Sequence, residues 1–462
     1  MEPTPAIGLA ALKTRLAQAD SWLDGPAAAG FAAHLAAARL RLRDAETSAA
    51  LAVGPVVVAE EQPAAYLAAA LAATEHGLPL ALARPHWAAA ERAQAAAQLR
   101  PGLWFGPDSA VWPAVYPQNN YNAAAWPGAI LIPTGGTGGR VRWAIHDWGT
   151  LAAAARALEA FFGDGPFTHV STLPPWHVSG LLPAVRALET GGRLWLGSWK
   201  ALEAGTPPST APERAVISLV PTQLLRLLGQ PPVVEWLRAA RAILLGGAAP
   251  PPGLLKQARE LGLPIALAYG LTETAAVVAA QLPADFLAGQ PSVATPLPHA
   301  QLWVADDVRD PCLPDTPGRV WIEADSLFRG YFPTRRELGP FAADDDGQLD
   351  RQGRLRILGR RDRLIITGGE KVDPRLVEEA VRATGLVEDV LVAGAPDPEW
   401  GERVVAIYTG APRAVADLRA ALAGRVAPPF LPKTWIHAEQ LPLDERGKPD
   451  RAALAVLLQP VA

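Results

Sequence analysis

The order of apolar runs along this chain predicts an α/β fold: a large N-terminal domain of parallel-sheet α/β subdomains with a small β-barrel-like subdomain, and a small mobile α+β C-terminal domain. Three observations carry that prediction. Between residues 53 and 282, β-branched or apolar runs alternate with Ala-rich stretches of helical length, the rhythm of βαβ units. After residue 281 the chain turns rich in Pro, Gly and Asp with short apolar runs, the pattern of short antiparallel strands. From residue 359 a third texture begins, of the size of a small α+β domain.

The elements follow in order. Residues 6–46 place apolar side chains at helical spacing. The run 53–59 is β-branched, 64–75 is Ala-rich and helical, 78–83 is a short apolar run, and 88–99 is helical again. Residues 129–132 read as a strand that stops in a Gly-rich loop. The alternation returns at 151–200 and 214–282, with 216–220, 242–245 and 265–268 as buried strands. Residues 301–305 and 319–323 supply short strands of the β-rich part, 290–358. Beyond it, 364–367, 390–393 and 404–408 read as strands and 374–383 and 414–423 as helices. A charge cluster at 359–362 sets the expected boundary, giving domains 1–358 and 359–462.

Composition narrows the function. Forty-two Lys plus Arg against 46 Asp plus Glu leave a formal charge of −4, which excludes nucleic-acid binding by bulk charge. One cysteine, Cys312, excludes a disulfide framework and a Cys-rich zinc site, and reads as an inert loop residue. The first residues, Met-Glu-Pro-Thr-Pro, lack a basic segment before an apolar one, and the Ala-rich stretch 64–73 is too short to span a bilayer. A cytoplasmic protein without a membrane span is expected, with a homo-oligomer left open. Only six lysines stand against 36 arginines, so a lysine in a polar loop draws notice.

Six segments carry residues fit for chemistry. Pro133-Thr134-Gly135-Gly136-Thr137-Gly138-Gly139-Arg140 follows an apolar run, and its N–H groups and hydroxyls suit a phosphate, although a plain Gly-rich turn has the same spacing. Gly246-Gly247-Ala248 follows a buried strand, where open α/β sheets place ligands; a strand-to-loop turn reads alike. Tyr269-Gly270-Leu271-Thr272-Glu273-Thr274 offers a ring for a base, a hydroxyl for a phosphate oxygen and a carboxylate for Mg²⁺, or a helix cap. Trp176-His177-Val178-Ser179 sets His177 and Ser179 two apart, without a nucleophile elbow; a packed His beside a Trp is the alternative. Gly359-Arg360-Arg361-Asp362 leads to Gly368-Gly369-Glu370, as an interdomain connector also would. Lys448 lies on a Gly-containing polar turn, normally a surface loop.

In this order and at these distances the segments resemble the adenylate-forming superfamily of acyl-CoA synthetases, adenylation domains and luciferases, most clearly over 129–451. Within it the chain is most similar to the branch of 2-succinylbenzoate–CoA ligases of menaquinone and phylloquinone biosynthesis, through 177–181, 218–228 and 244–260. Two departures stand out. Val141-Arg142 replaces the usual Pro-Lys of the phosphate loop, and Asp344-Asp345-Asp346-Gly347 replaces the ribose-binding Thr-Gly-Asp-x-Gly, leaving its register open with Asp345 favoured by spacing.

The resemblance implies an acid–thiol ligase that uses ATP, Mg²⁺ and coenzyme A. A carboxylate attacks the α-phosphate, giving acyl-adenylate and pyrophosphate; the CoA thiolate then displaces AMP. It implies that Thr134, Gly135, Gly136, Thr137, Gly138 and Gly139 hold the β,γ-phosphates, Thr272 touches the α-phosphate and Glu273 binds Mg²⁺. Tyr269 and Gly270 would cover adenine beside Gly246, Gly247 and Ala248, and Asp345 and Arg360 would hold the ribose. Lys448 would bridge the α-phosphate and the attacking carboxylate. The small domain would turn about Asp362, bringing either Lys448 or the Gly368, Gly369 and Glu370 turn to the site. His177, Ser179 and Thr222, with Trp176 and Arg226 nearby, would shape a pocket for an aromatic carboxylic acid. A general aryl- or acyl-CoA ligase or an amino-acid adenylation enzyme is the alternative. The latter normally sets an Asp in the pocket, and none stands beside 176–179.

Overall fold

The computed structural model describes residues 8–47, 50–52, 54–87, 89–106, 125–135, 141–247, 250, 252–291, 293–306, 310–360, 364–442 and 451–458. Two large sheets form the body. One has eight strands in the order Leu23–Asp24, Arg193–Leu196, Thr168–Ser171, Ala215–Leu219, Ala242–Leu245, Ile265–Leu271, Ala276–Ala280 and Thr295–Pro296. Its first six strands are parallel and its last two pairings antiparallel. Parallel strands covered on both faces read as continuous apolar runs, and Ala242–Leu245 is buried at every position.

The second sheet has seven strands, with Val56–Val58 between Leu80–Leu82 and Leu103–Phe105 in parallel. Its other half is an antiparallel hairpin, Ile130–Gly135 with Val141–His146. The helix Pro63–Glu75 packs against this sheet and is buried at almost every position, which its alanines permit. Trp148–Phe162 starts from a capping box in which Asp147 accepts from Thr150 N–H and the Thr150 hydroxyl answers the Asp147 N–H. Such a cap contributes about 1 kcal/mol. The helix Val178–Thr190 lies beside it.

A four-stranded antiparallel sheet, Ala300–Ala305, Gly318–Ala324, Phe341–Leu349 and Leu355–Arg360, follows. The small C-terminal domain builds a five-stranded sheet from Ile365–Thr367, Glu370–Val372, Asp389–Asp397, Gly401–Thr409 and Thr434–His437, with its own core around Val377, Val392 and Leu418. Among the described residues no helix is long and apolar enough to cross a membrane.

Three local expectations are corrected. The helical pattern of 6–46 breaks into Leu9–Leu16, Ala19–Trp22 and Phe31–Thr47; Gly25, at φ +99° ahead of Pro26, lies in the second break. Thr134 and Gly135 belong to the strand Ile130–Gly135, not to a loop beyond it, because the hairpin partner extends the ladder. Gly359 and Arg360 likewise close the strand Leu355–Arg360 and are not connector residues; Arg360 is the cross-strand neighbour of Asp345.

Candidate functional site

A cleft opens at the C-terminal ends of Ala215–Leu219, Ala242–Leu245 and Ile265–Leu271, where open parallel sheets place their ligands. Its open volume, mouth and adjoining solvent included, is about 1030 Å³. Thr134, Gly270 and Thr272 line the cleft together with His177, Ser179, Ser218, Gly246 and Gly247. Gly369, Glu370 and Lys371 of the C-terminal domain close one side.

The wall carrying Thr272 is held by buried hydrogen bonds. Residues Thr272–Thr274 form a 3₁₀ turn after the strand. Thr274 is fully buried, and its hydroxyl is engaged with the backbone of Leu271 and Ala276. Thr274 therefore fills the capping role, while Thr272 is left to face the cleft. His146 lies under this turn, with Nε2 2.8 Å from the Thr272 carbonyl and Nδ1 3.0 Å from the Thr150 hydroxyl. A carbonyl oxygen only accepts, so Nε2 carries the proton. Burial lowers the His146 pKa to about 4, keeping the ring neutral.

Glu273 is 6 % exposed. Tyr331 donates its hydroxyl to Glu273 Oε1 at 2.6 Å, and the Arg142 guanidinium lies 4.2 Å from the Tyr331 ring centre. Burial, then the Glu273 charge, pushes the Tyr331 phenol far above its ordinary pKa, so it stays a donor. Among the described residues no cluster of three or more His, Cys, Asp or Glu converges on one point. A single carboxylate suits Mg²⁺, which takes most of its oxygens from phosphates and water.

Of the three consecutive aspartates, Asp345 is the one that meets Tyr269. It is 4 % exposed and accepts the Tyr269 hydroxyl at 2.8 Å through Oδ2. Asp344 points away and pairs with Arg319 at 2.9 Å.

The C-terminal domain meets the cleft through the Gly368–Gly369–Glu370 turn. Glu370 lies 3.5 Å from His177 Nε2 and 3.3 Å from Arg84. Burial works against the Glu370 charge, but the His177 hydrogen bond and the Arg84 charge outweigh it and hold the carboxyl at about 2. Gly369 has φ +83°, and an added Cβ would stand 2.9 Å from Val220 Cγ1 of the large domain. Only glycine accepts both constraints without strain. Behind the turn, Gly368 N–H donates to the Trp400 carbonyl. Arg226 reaches Glu399 and Glu203 at 3.0 and 3.1 Å.

Three residues expected at the acid pocket stand elsewhere. Thr222 is buried in the helix Pro221–Leu227 and is not among the residues lining the cleft, because the N-terminal proline starts the helix there and turns the side chain inward. Trp176 packs on Tyr66 in the core, ring centres 5.8 Å apart. Arg226 is spent on its two carboxylates. Gly136, Thr137, Gly138, Gly139, Ala248, Asp362 and Lys448 lie outside the described residues. Arg84, Arg186, His146 and Tyr331 escape sequence reasoning. Only Arg186 leaves a trace there, as a charge in an apolar helical run.

Residues 29–332 match the profile of the AMP-binding enzyme family, and 376–448 that of the AMP-binding enzyme C-terminal domain. The 2-succinylbenzoate–CoA ligase of Salmonella typhimurium is 34 % identical over 63 % of this chain and 61 % of its own length. Indoleacetate–CoA ligase of Aromatoleum aromaticum is 28 % identical over 69 % of this chain and 65 % of its own. The chain thus spans about three fifths of the first of these relatives and under two thirds of the second. Among solved structures, o-succinylbenzoate CoA synthetase of Bacillus subtilis, a double mutant bound to its product analogue OSB-NCoA, superposes with a TM-score of 0.78 at 23 % identity, covering 98 % of both chains. The same enzyme with ATP and magnesium ion superposes with a TM-score of 0.60 at 22 % identity, covering 98 % of this chain and 99 % of that one.

Proposed function

The chain belongs to the AMP-binding enzyme family, and within it we propose that it is an AMP-forming acid–CoA ligase that converts 2-succinylbenzoate to its CoA thioester, as in menaquinone or phylloquinone formation. One observation carries the reading: a single cleft is lined by Thr134 and Thr272, by His177 and Ser179, and by Gly369 and Glu370 of the C-terminal domain. The named relatives, both aromatic-acid CoA ligases, support the substrate class.

The chemistry asks for position more than for covalent work. An acid acylates poorly because oxide is a poor leaving group; an adenylate supplies a better one. Thr134 and Thr272 would donate to phosphate oxygens, and Glu273 would hold Mg²⁺. The ion, when bound, neutralises phosphate charge as pyrophosphate leaves. Asp345 and Arg360 take the ribose, Tyr269, Gly270, Gly246, Gly247 and Ala248 the base, and residues 134–139 the outer phosphates. Lys448 steadies the carboxylate in its attack. His177 and Ser179 would meet the acid.

The small C-terminal domain swings about Asp362 between the half-reactions. The contacts of Glu370 with His177 and Arg84 bring the Gly368–Glu370 turn to the cleft, which supports the thioester-forming arrangement. The higher superposition with the product-analogue complex than with the ATP complex of one enzyme supports this assignment.

The test is a coupled assay with MgATP, CoA and 2-succinylbenzoate, using benzoate and a medium-chain fatty acid as controls. Thioester from 2-succinylbenzoate alone is expected. Turnover of only the controls makes this a general aryl- or acyl-CoA ligase; pyrophosphate without CoA consumption makes it another adenylating enzyme.

A further inference from the structure

The carboxylate that the ligase reading sets against Mg²⁺ is gripped at two points by one short segment far along the chain. Phe328 N–H donates to the Glu273 carbonyl at 2.8 Å. Three residues on, the Tyr331 hydroxyl donates to Glu273 Oε1 at 2.6 Å. That distance is one of a charge-assisted hydrogen bond, roughly twice as strong as a neutral one.

The ring that carries the hydroxyl has little freedom. The strand Gly330–Tyr331 pairs with Val141–His146, with Tyr331 opposite Ala144. Phe328 meets the tyrosine ring edge-on, with centres 4.8 Å apart, and the Arg142 guanidinium covers a face at 4.2 Å. Arg142 is in turn the cross-strand neighbour of Thr134, which lines the cleft. One hairpin therefore carries Thr134 and also fixes the donor to Glu273.

The two oxygens of Glu273 differ as a result. Oε1 is taken by the tyrosine, whereas Oε2 accepts no hydrogen bond from the described residues and still reaches solvent. A carboxylate oxygen that already accepts a strong hydrogen bond is a poor metal donor, so Glu273 has one good oxygen to offer. Calcium gathers about 6–8 oxygens and often takes both from one carboxylate. Magnesium demands a tight octahedron and draws most of its oxygens from phosphates and water. One good oxygen suits the second ion and penalises the first.

We propose that Tyr331 is a specificity residue for the metal ion: by occupying Oε1 it holds Glu273 to binding through a single oxygen, so that the site selects Mg²⁺ over Ca²⁺. This rests on the assignment of Mg²⁺ to Glu273 in the ligase reading and adds a residue to that site. Phe328 and Arg142 act as positioning residues for the ring.

The experiment loads the full chain with ATP and Mn²⁺ without any acid, so that nothing turns over. Protein-bound Mn²⁺ is followed by its electron paramagnetic resonance spectrum and displaced with Mg²⁺ or with Ca²⁺. Wild type should yield to Mg²⁺ at the lower concentration. Tyr331→Phe, which removes only the hydroxyl, should cut that preference about tenfold, the weight of one hydrogen bond to a charged group. Phe328→Leu frees the ring and should shift the preference the same way by about threefold, the weight of an aromatic pair; it carries the test if Tyr331→Phe fails to fold. An unchanged preference, or equal weakening of both ions, overturns the proposal. Loss of Mn²⁺ binding in Glu273→Gln beside an unchanged preference in Tyr331→Phe overturns it while the ligase reading stands. Wild-type displacement curves in Glu273→Gln overturn the assignment of the metal to Glu273, and this proposal with it.

Discussion

The wall around Thr272 and Glu273 and the junction around Glu370 face the same cleft but are held by different forces. In the wall, His146, Thr274 and Tyr331 are joined to their partners by hydrogen bonds within the large domain, and Glu273 and Thr274 are buried. At the junction the bonds are ion pairs between domains: Glu370 with Arg84 and His177, and Arg226 with Glu399, all with partly exposed side chains. Buried hydrogen bonds cannot be left unmade without cost, whereas exposed ion pairs exchange readily for water. The difference teaches that the wall around Thr272 is preorganised and that the junction parts at lower cost, which is what the two-step ligase proposed above, with its moving domain, would require.

The largest break in that comparison is Lys448→Ala. It should slow pyrophosphate formation by about 10²–10³-fold, as loss of a fixed electrostatic donor does, while CoA transfer from supplied acyl-adenylate stays near wild type. Quenched-flow measurement of each half-reaction checks it; equal loss in both removes the need for two domain arrangements.

Acid sharpens the contrast. His146 has its pKa lowered to about 4 from 6.5, so the unfolded chain takes up its proton first as pH falls. The stability it supports is complete above about pH 6.5 and declines towards pH 4, by up to about 3 kcal/mol. Glu370, lowered to about 2 from 4.5, keeps its contribution above pH 4.5 and loses it only towards pH 2. Near pH 5, hydrogen exchange should therefore quicken around residues 272–274 before it changes around 368–370.

How much of this was legible beforehand is uneven. The segment 269–274 could be read because its residue types and their order are local facts. Asp345 could be placed only to within one residue: three aspartates in a row look alike until strand alternation turns one of them towards Tyr269. Arg84, His146 and Tyr331 stay silent in the sequence, because each gains its role from an approach across strands distant in the chain. Thr222 and Trp176 depart from expectation for the converse reason: neighbours in sequence to residues that line the cleft, Thr222 is buried and Trp176 is half-buried against Tyr66.

Gly369→Ala tests the junction at lower amplitude. A left-handed residue with a Cβ costs about 1–2 kcal/mol, and Val220 stands in the way. CoA transfer should fall about 5–30-fold with adenylation unchanged, a split visible in the two half-reaction rates. Arg226→Ala should do least. Its pairs are exposed, worth about 0.2–1 kcal/mol, so thioester formation should slow less than about fivefold and the effect should vanish in high salt.

The most direct test fixes the junction in place. The Cβ built on Gly369 lies 3.4 Å from Val220 Cβ, close to disulfide range. Val220→Cys/Gly369→Cys, made with Cys312→Ser to remove the native thiol, should cross-link under oxidation. The locked enzyme should lose acid-dependent pyrophosphate release, retain thioester formation from supplied acyl-adenylate, and regain the first activity on reduction. Full adenylation in the locked form would contradict the account, for the wall and the junction would then serve both steps without parting.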